Sequence, residues 1–117
     1  MLKFQTLDSS FIDDILEITH FLNHTTSQSQ QKKYLESMFK MSDYHCLGVF
    51  LDNELIGVSS VWITVRLYSG KQAEIDNFII HPEHQGHSFG KQFLDFLEYQ
   101  EQSFFYTLKR HNFAFSF

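Results

Sequence analysis

The sequence predicts a single mixed α/β (α+β) domain in the order β-α-α-β-β-β-α-β. Three observations point there. From Tyr44 to Ile80 the chain is nearly continuous strand-forming sequence, punctuated by the turn pairs Asp52-Asn53 and Ser69-Gly70. Two helical patterns precede that run and one follows it. Where the last of these strands gives way to the last helix stand the only proline, Pro82, and two of the five glycines, Gly86 before the helix and Gly90 in its first turn. At 117 residues the chain has the length of one domain with one core.

Taken in order, Leu2 to Leu7 alternates loosely and reads as a first strand. Asp8, Ser9 and Ser10 offer helix N-caps, and Ser10 with Asp13 resembles a capping box. Phe11, Ile15, Ile18 and Leu22 then fall on one helical face. The polar stretch from Asn23 to Lys33 reads as a loop, with a second helix starting near Ser29. Its Tyr34, Leu35, Met38 and Phe39 form an inward stripe that belongs to a core rather than to a cofactor.

Tyr44 to Leu51 is a strand, and Asp52-Asn53 suits a two-residue hairpin because both residues tolerate positive φ. Leu55 to Leu67 is the next strand. It carries Leu55, Val61, Ile63, Val65 and Leu67 on one parity and Ile56, Val58 and Trp62 on the other. After Ser69-Gly70, Lys71 to Ile80 makes the fourth strand. Phe89 to Glu101 is the third helix, striped by Phe89, Phe93, Leu94 and Leu97, and Phe104 to Leu108 is the fifth strand. Tight turns make the middle strands antiparallel, whereas a helical crossover makes the fifth parallel to the fourth.

Composition excludes several functions. The net charge of -5 does not suit the basic face that duplex nucleic acid requires, so no nucleic-acid partner is expected. No stretch approaches the ~18 apolar residues of a membrane span, and no membrane partner is expected. The opening "MLKFQTLDSS" lacks the apolar core of a signal peptide, and a cytoplasmic location follows. Cys46, the one cysteine, lies in an apolar run and reads as a buried, inert thiol.

The chemistry concentrates at Gln85-Gly86-His87-Ser88-Phe89-Gly90. Glycine allows positive φ and close approach of a ligand to the backbone. A helix start presents unpaired N–H groups and a partial positive charge, which together suit a phosphate. The glycine patterns of a P-loop and of a dinucleotide-binding fold are both absent. A plain helix-starting turn with no ligand is the alternative on these residues alone.

The stretch "EIDNFIIHPEHQGHSFGK", Glu74 to Lys91, resembles the acetyl-CoA motif of the GNAT acyltransferase superfamily. That motif is an apolar strand, a proline, and Gln/Arg-x-x-Gly-x-Gly/Ala opening a helix. Gln85, Ser88 and Gly90 stand at its named positions, and Gly86 fills a position where glycine is frequent. The element order is similar too, so the resemblance implies a GNAT-like mixed sheet over residues 1 to about 108. The usual last helix and strands are lacking. It implies acetyl-CoA as co-substrate, with its pyrophosphate held by backbone N–H groups among Gln85, Gly86, His87, Ser88, Phe89 and Gly90. The pantetheine arm would lie like an added strand along Phe78, Ile79 and Ile80.

Two departures stand out. Ser88 replaces the usual glycine, and the tyrosine that often protonates the departing thiolate has no counterpart, since Tyr106 does not replace it by position. Glu74, four residues before Phe78, matches the place of a general-base glutamate in several family members, with Asp76 as second choice. A solvent-facing strand carboxylate is the plainer alternative. Lys91, Lys109 and Arg110 have the charge to meet CoA phosphates, although each also suits a solvated surface.

The leading expectation is an acyl-CoA-dependent N-acyltransferase that moves acetyl to a small-molecule or peptide amine by direct attack. The acceptor would enter between the two N-terminal helices and the mouth between the fourth and fifth strands, near Asn23 to Lys33. A non-catalytic CoA-binding or assembly module is the alternative. A loop metal site at His81, Glu83, His84 and His87 is disfavoured because Pro82 and Gly86 interrupt any shared helix face. A homodimer is expected through the C-terminal strand, whose outer edge should be bare and whose tail carries Phe113, Phe115 and Phe117.

Overall fold

The fold is a six-stranded mixed sheet with helices on both faces, in a computed structural model. It describes every residue except 23, 24, 69, 105, 106, 111, 112 and 115–117, and for 100–104, 107–110, 113 and 114 the backbone alone. The elements are β1 (Leu2–Leu7), α1 (Ile12–Thr19), α2 (Gln28–Phe39), β2 (Tyr44–Leu51), β3 (Glu54–Arg66), β4 (Gly70–Ile80), α3 (Phe89–Phe104), β5 (Thr107–Arg110) and β6 (Phe113–Ala114). Among the described residues no helix is long and apolar enough to cross a membrane.

Local chemistry sets the helix starts. The Asp8 carboxylate accepts from the Ser10 amide at 2.9 Å and from its hydroxyl, starting a 3-10 turn over Ser9–Phe11 that runs into α1. These two bonds hold the Asp8 carboxyl below its ordinary pKa. The cap is therefore Asp8, not the expected Ser10–Asp13 box. Ser27 caps α2 by accepting from the Gln30 amide at 3.2 Å, so the helix begins just before the expected Ser29.

The strand order is β1-β2-β3-β4-β5, antiparallel through β4, with β5 parallel to β4. Asp52 (φ 49°) and Asn53 (φ 72°) take left-handed conformations in the hairpin between β2 and β3, as a primed turn requires. The turn expected at Ser69-Gly70 falls partly on residue 69, outside the described residues. Three expectations are corrected. Phe104 ends α3 rather than opening β5, which starts at Thr107. The apolar parity of β3 fails at both ends: a register shift opposite Val49 and Phe50 puts Ile56 with Val61 under α3 and Leu55 with Val58 and Trp62 on the other face, and Val65 and Leu67 are 74% and 87% exposed on the hairpin tip. Finally, a sixth strand exists, and it pairs in parallel with β4 instead of extending from β5. The tail residues Phe115 and Phe117 lie outside the described residues.

A bulge in β4 organises the core. Ser60 faces Asp76 and Val58 faces Ile79, so Ser59 alone stands opposite both Asn77 and Phe78. Asn77 takes φ 54° there, and its amide donates to Asp76 Oδ1 at 2.8 Å. The extra residue changes the alternation. Ile75, Phe78 and Ile80 all pack with Phe93, Leu94 and Leu97 of α3. Ile79 joins Ile15, Leu16, Ile18 and Leu35 beneath α1 and α2. Ile75, Phe78, Ile80 and Phe93 are fully buried.

Candidate functional site

The site grows from two places on the bulged strand, its C-terminal end and the bulge itself. At the C-terminal end of β4, Pro82–His84 forms a 3-10 turn, with His81 Nδ1 accepting from the Glu83 amide at 3.1 Å. The His81 amide donates to Ile56 O at 2.7 Å, which ties the turn to β3. Gln85 folds its side chain back, donating through Nε2 to Ile80 O at 2.8 Å. The side chain thereby satisfies the last carbonyl of the strand and leaves the Gln85 backbone to lead into the turn.

Gly86 (φ 86°) and Ser88 (φ 63°) both adopt left-handed backbone. A Cβ on Gly86 would meet nothing within 4 Å, so this glycine is needed for its φ and not for tight packing. Ser88 takes the same region with a side chain, a conformation that normally disfavours anything but glycine. Its Oγ is 3.2 Å from Gln92 Nε2, which donates to it, and its carbonyl accepts from the Gln92 amide at 3.0 Å. That bond is the first of the helical ladder, so the amides of Phe89, Gly90 and Lys91 open toward the turn as those of a helix start do. Lys91 itself pairs with Asp95 at 3.2 Å, one turn along α3, with both side chains well exposed. The ring centroids of His81 and His84 are 6.2 Å apart, and among the described residues no three His, Cys, Asp or Glu side chains gather as a metal site.

At the bulge the other half of the site lies beneath α1 and α2. An open cleft of about 230 Å³ is walled by Leu16, Leu35 and Val58 and carries Tyr44, Ser60 and Asn77. The Tyr44 hydroxyl and Ser60 Oγ share a buried hydrogen bond of 2.8 Å. Burial pushes the Tyr44 phenol far above its ordinary pKa, and it stays neutral. Burial also pushes the Cys46 thiol up to about 12, against a smaller downward effect from Tyr44, which makes it a poor nucleophile.

Glu74 is on this same face, opposite Trp62 on β3. Its side chain is 20% exposed, and Oε1 accepts from Arg66 Nη2 at 3.0 Å. Glu74 stands three residues before Asn77, roughly 10 Å along the strand. Phe78, Ile79 and Ile80 bury their side chains in the two cores, and only their backbone could serve a ligand. Tyr44, Ser60 and the Asn77 bulge were not singled out by sequence reasoning. The polar Ser59-Ser60 and Asp76-Asn77 pairs inside otherwise apolar strands were the available signal.

The sequence profile of the Acetyltransferase (GNAT) family matches residues 12–109, most of the chain and both halves of this site. The chain belongs to the GNAT acetyltransferase family. Solved structures agree on the fold. A GNAT family acetyltransferase of Staphylococcus aureus subsp. aureus USA300_TCH1516 is 20% identical, with a TM-score of 0.80 over 97% of this chain and 87% of that one. A ribosomal-protein-alanine N-acetyltransferase from Brucella melitensis biovar Abortus 2308 is 15% identical, with a TM-score of 0.77 over 97% and 81%. An acetyltransferase of Clostridium acetobutylicum, described as predicted and solved with acetyl-CoA, is 13% identical, with a TM-score of 0.72 over 94% and 80%. At these identities the likeness is one of fold. A search of curated proteins returned no match.

Proposed function

We propose that this GNAT chain is an acyl-CoA-dependent N-acyltransferase that moves an acetyl group from acetyl-CoA to an amine by direct attack. The observation that carries the reading is the turn from β4 into α3. Gly86 and Ser88 both hold left-handed backbone there, which directs the first amides of α3 outward. In this reading the amides from Gln85 to Gly90 hold the pyrophosphate, and the backbone of Phe78–Ile80 holds the pantetheine arm. Lys91 adds charge at the turn when it leaves Asp95.

The acceptor amine enters the cleft under α1 and α2, in contact with Tyr44, Ser60 and Asn77. The cleft walls are mainly apolar, which suits an amine on a short apolar stem better than a polycation. Glu74 takes the amine's proton through water, with Arg66 positioning its carboxylate. The amine nitrogen then bonds to the thioester carbonyl carbon, the C–S bond breaks, and the CoA thiolate leaves to be protonated by water. Radiolabelled acetyl transfer to a panel of monoamines, polyamines and peptides tests this. Glu74→Gln should lower the rate at pH 7 by ~10²–10⁴-fold with acetyl-CoA affinity kept. Unchanged transfer would remove Glu74 from the reaction.

A non-catalytic CoA-binding or assembly module is the second reading, and Ser88 favours it, because it carries a side chain in left-handed backbone at the turn. Transfer to no amine, with acetyl-CoA still bound, would select it. Either reading keeps the homodimer as a proposal: β5 ends the strand order, with no further strand beside it among the described residues. Light scattering at tens of micromolar checks this, and a clean monomer would contradict it.

A further inference from the structure

β6 occupies the place that the acetyl-CoA reading gives to the pantetheine arm. Over Phe78–Ile80, β4 has two edges. β3 takes one, with Val58 facing Ile79 and Gly57 facing Ile80. β6 takes the other, with Phe113 beside Phe78 and Ala114 beside Ile79. The placement is not incidental to the topology. β5 pairs Thr107 with Gln72 through Arg110 with Ile75, and β6 continues in that same register. The two ladders flank the bulge at Asp76–Asn77, so β4 is accompanied by chain before it and after it.

Each backbone N–H and C=O on a strand edge serves one neighbouring strand. An extended amide arm and β6 therefore ask for the same groups of Phe78 and Ile79. We propose that β6 is a displaceable strand that closes the pantetheine edge of β4, so that acetyl-CoA is admitted only when Phe113–Ala114 leaves. The inference rests on the acetyl-CoA reading above. A ladder of two residue pairs is short enough to open by local unfolding without disturbing the sheet. The sheet between β1 and β4 has its own continuous pairing and does not depend on it. By linkage, whatever fraction of molecules holds β6 on β4 weakens the apparent affinity for acetyl-CoA, and bound acetyl-CoA frees β6 to the same degree.

The test uses the full chain. Successive residues of a strand direct their amides to opposite sides, so one of Phe113 and Ala114 donates toward β4, and proline at that position cannot. Acetyl-CoA affinity is measured by calorimetry for the parent, Phe113→Pro and Ala114→Pro, with circular dichroism to confirm folding. Hydrogen exchange at residues 113 and 114 of the unmodified chain is followed with and without acetyl-CoA. If β6 is docked in about nine molecules in ten, at least one variant binds about tenfold more tightly. Acetyl-CoA also strips protection in the parent from whichever of those two amides donates toward β4. Equal affinities, or amides whose protection acetyl-CoA leaves unchanged, overturn the closing strand while the acetyl-CoA reading stands. Weaker binding in both variants overturns it too, since β6 would then support the ligand. No binding by any of the three proteins overturns both.

Discussion

The two faces of the central strands are made by the same residues' alternation and bury different things. Under α3, Val49, Ile56, Ile75, Phe78 and Ile80 meet Phe93 in an apolar layer. Phe4, Phe78 and Phe93 stack there, with Phe93 centroids 5.9 Å from Phe4 and 5.1 Å from Phe78. Under α1 and α2 the layer is interrupted by the Tyr44–Ser60 pair, the Cys46 thiol and a cleft. The first face can be filled closely because its side chains are almost all apolar, and the buried Ser59 hydroxyl is satisfied within its own strand by Ser60 O at 3.3 Å. The second keeps polar groups that need partners and leaves room for a small molecule. The bulge at Asn77 joins the two, since it turns Phe78 into the solid face and leaves Asp76 and Glu74 on the open one. One face is solid core, and the other holds the cleft proposed for the acceptor.

That contrast can be broken most forcefully at Phe93. Phe93→Ala leaves a cavity in the solid face and should lower unfolding stability by about 3–5 kcal/mol, read from chemical denaturation. A loss well under 1 kcal/mol would mean the α3 face is not the principal core. Cys46 comes next. With its pKa near 12 against ~8.5 for a free thiol, its alkylation at pH 8 should be slowed by roughly 10³-fold in the native protein. Because the folded-state pKa is the higher one, the stability this contributes is whole below about pH 8.5 and declines as pH rises toward 12. Rapid native labelling at pH 8 would show the open face to be wetter than described.

Tyr44→Phe tests the polar pair on that face. Losing the 2.8 Å bond and stranding Ser60 Oγ should cost about 1–2 kcal/mol, and acetyl transfer should fall more than acetyl-CoA affinity does. A change in affinity alone would move Tyr44 away from the acceptor. The smallest effects sharpen the comparison at the turn, where opposite substitutions should have opposite signs. Ser88→Gly relieves a left-handed residue and should stabilise by about 0.5–1 kcal/mol, whereas Gly86→Ala should destabilise by about 1 kcal/mol with no new steric contact. Two changes of the same sign would show that φ is not what these positions select.

The sequence was legible where periodicity and turn chemistry agree. The strands from Tyr44 to Ile80, the Asp52-Asn53 hairpin and the α3 stripe appear as expected, because each combines an apolar repeat with a local turn or start signal. The turn was legible as a motif, although the left-handed φ of Ser88 was not, since serine gives no sign of it. What could not be read was long-range. The bulge changes the parity of β4 halfway along, so alternation alone misplaces Glu74 relative to Phe78. The Arg66 partner of Glu74 depends on hairpin register, and the Tyr44–Ser60 bond on a cross-strand approach. The tail phenylalanines were visible at Phe113, but the pairing of the two-residue β6 with β4 was not, because a partner strand leaves no local mark.

The central claim is that backbone at the end of β4 and the start of α3 holds acetyl-CoA. A titration of the isotope-labelled full chain with acetyl-CoA, followed amide by amide in solution, tests it most directly. Saturable shifts are expected at Gly86, His87, Ser88, Phe89 and Gly90 and along Phe78–Ile80, with β1 and the outer surface of α2 unmoved. Shifts absent at millimolar acetyl-CoA, or confined to residues away from that turn, would contradict it.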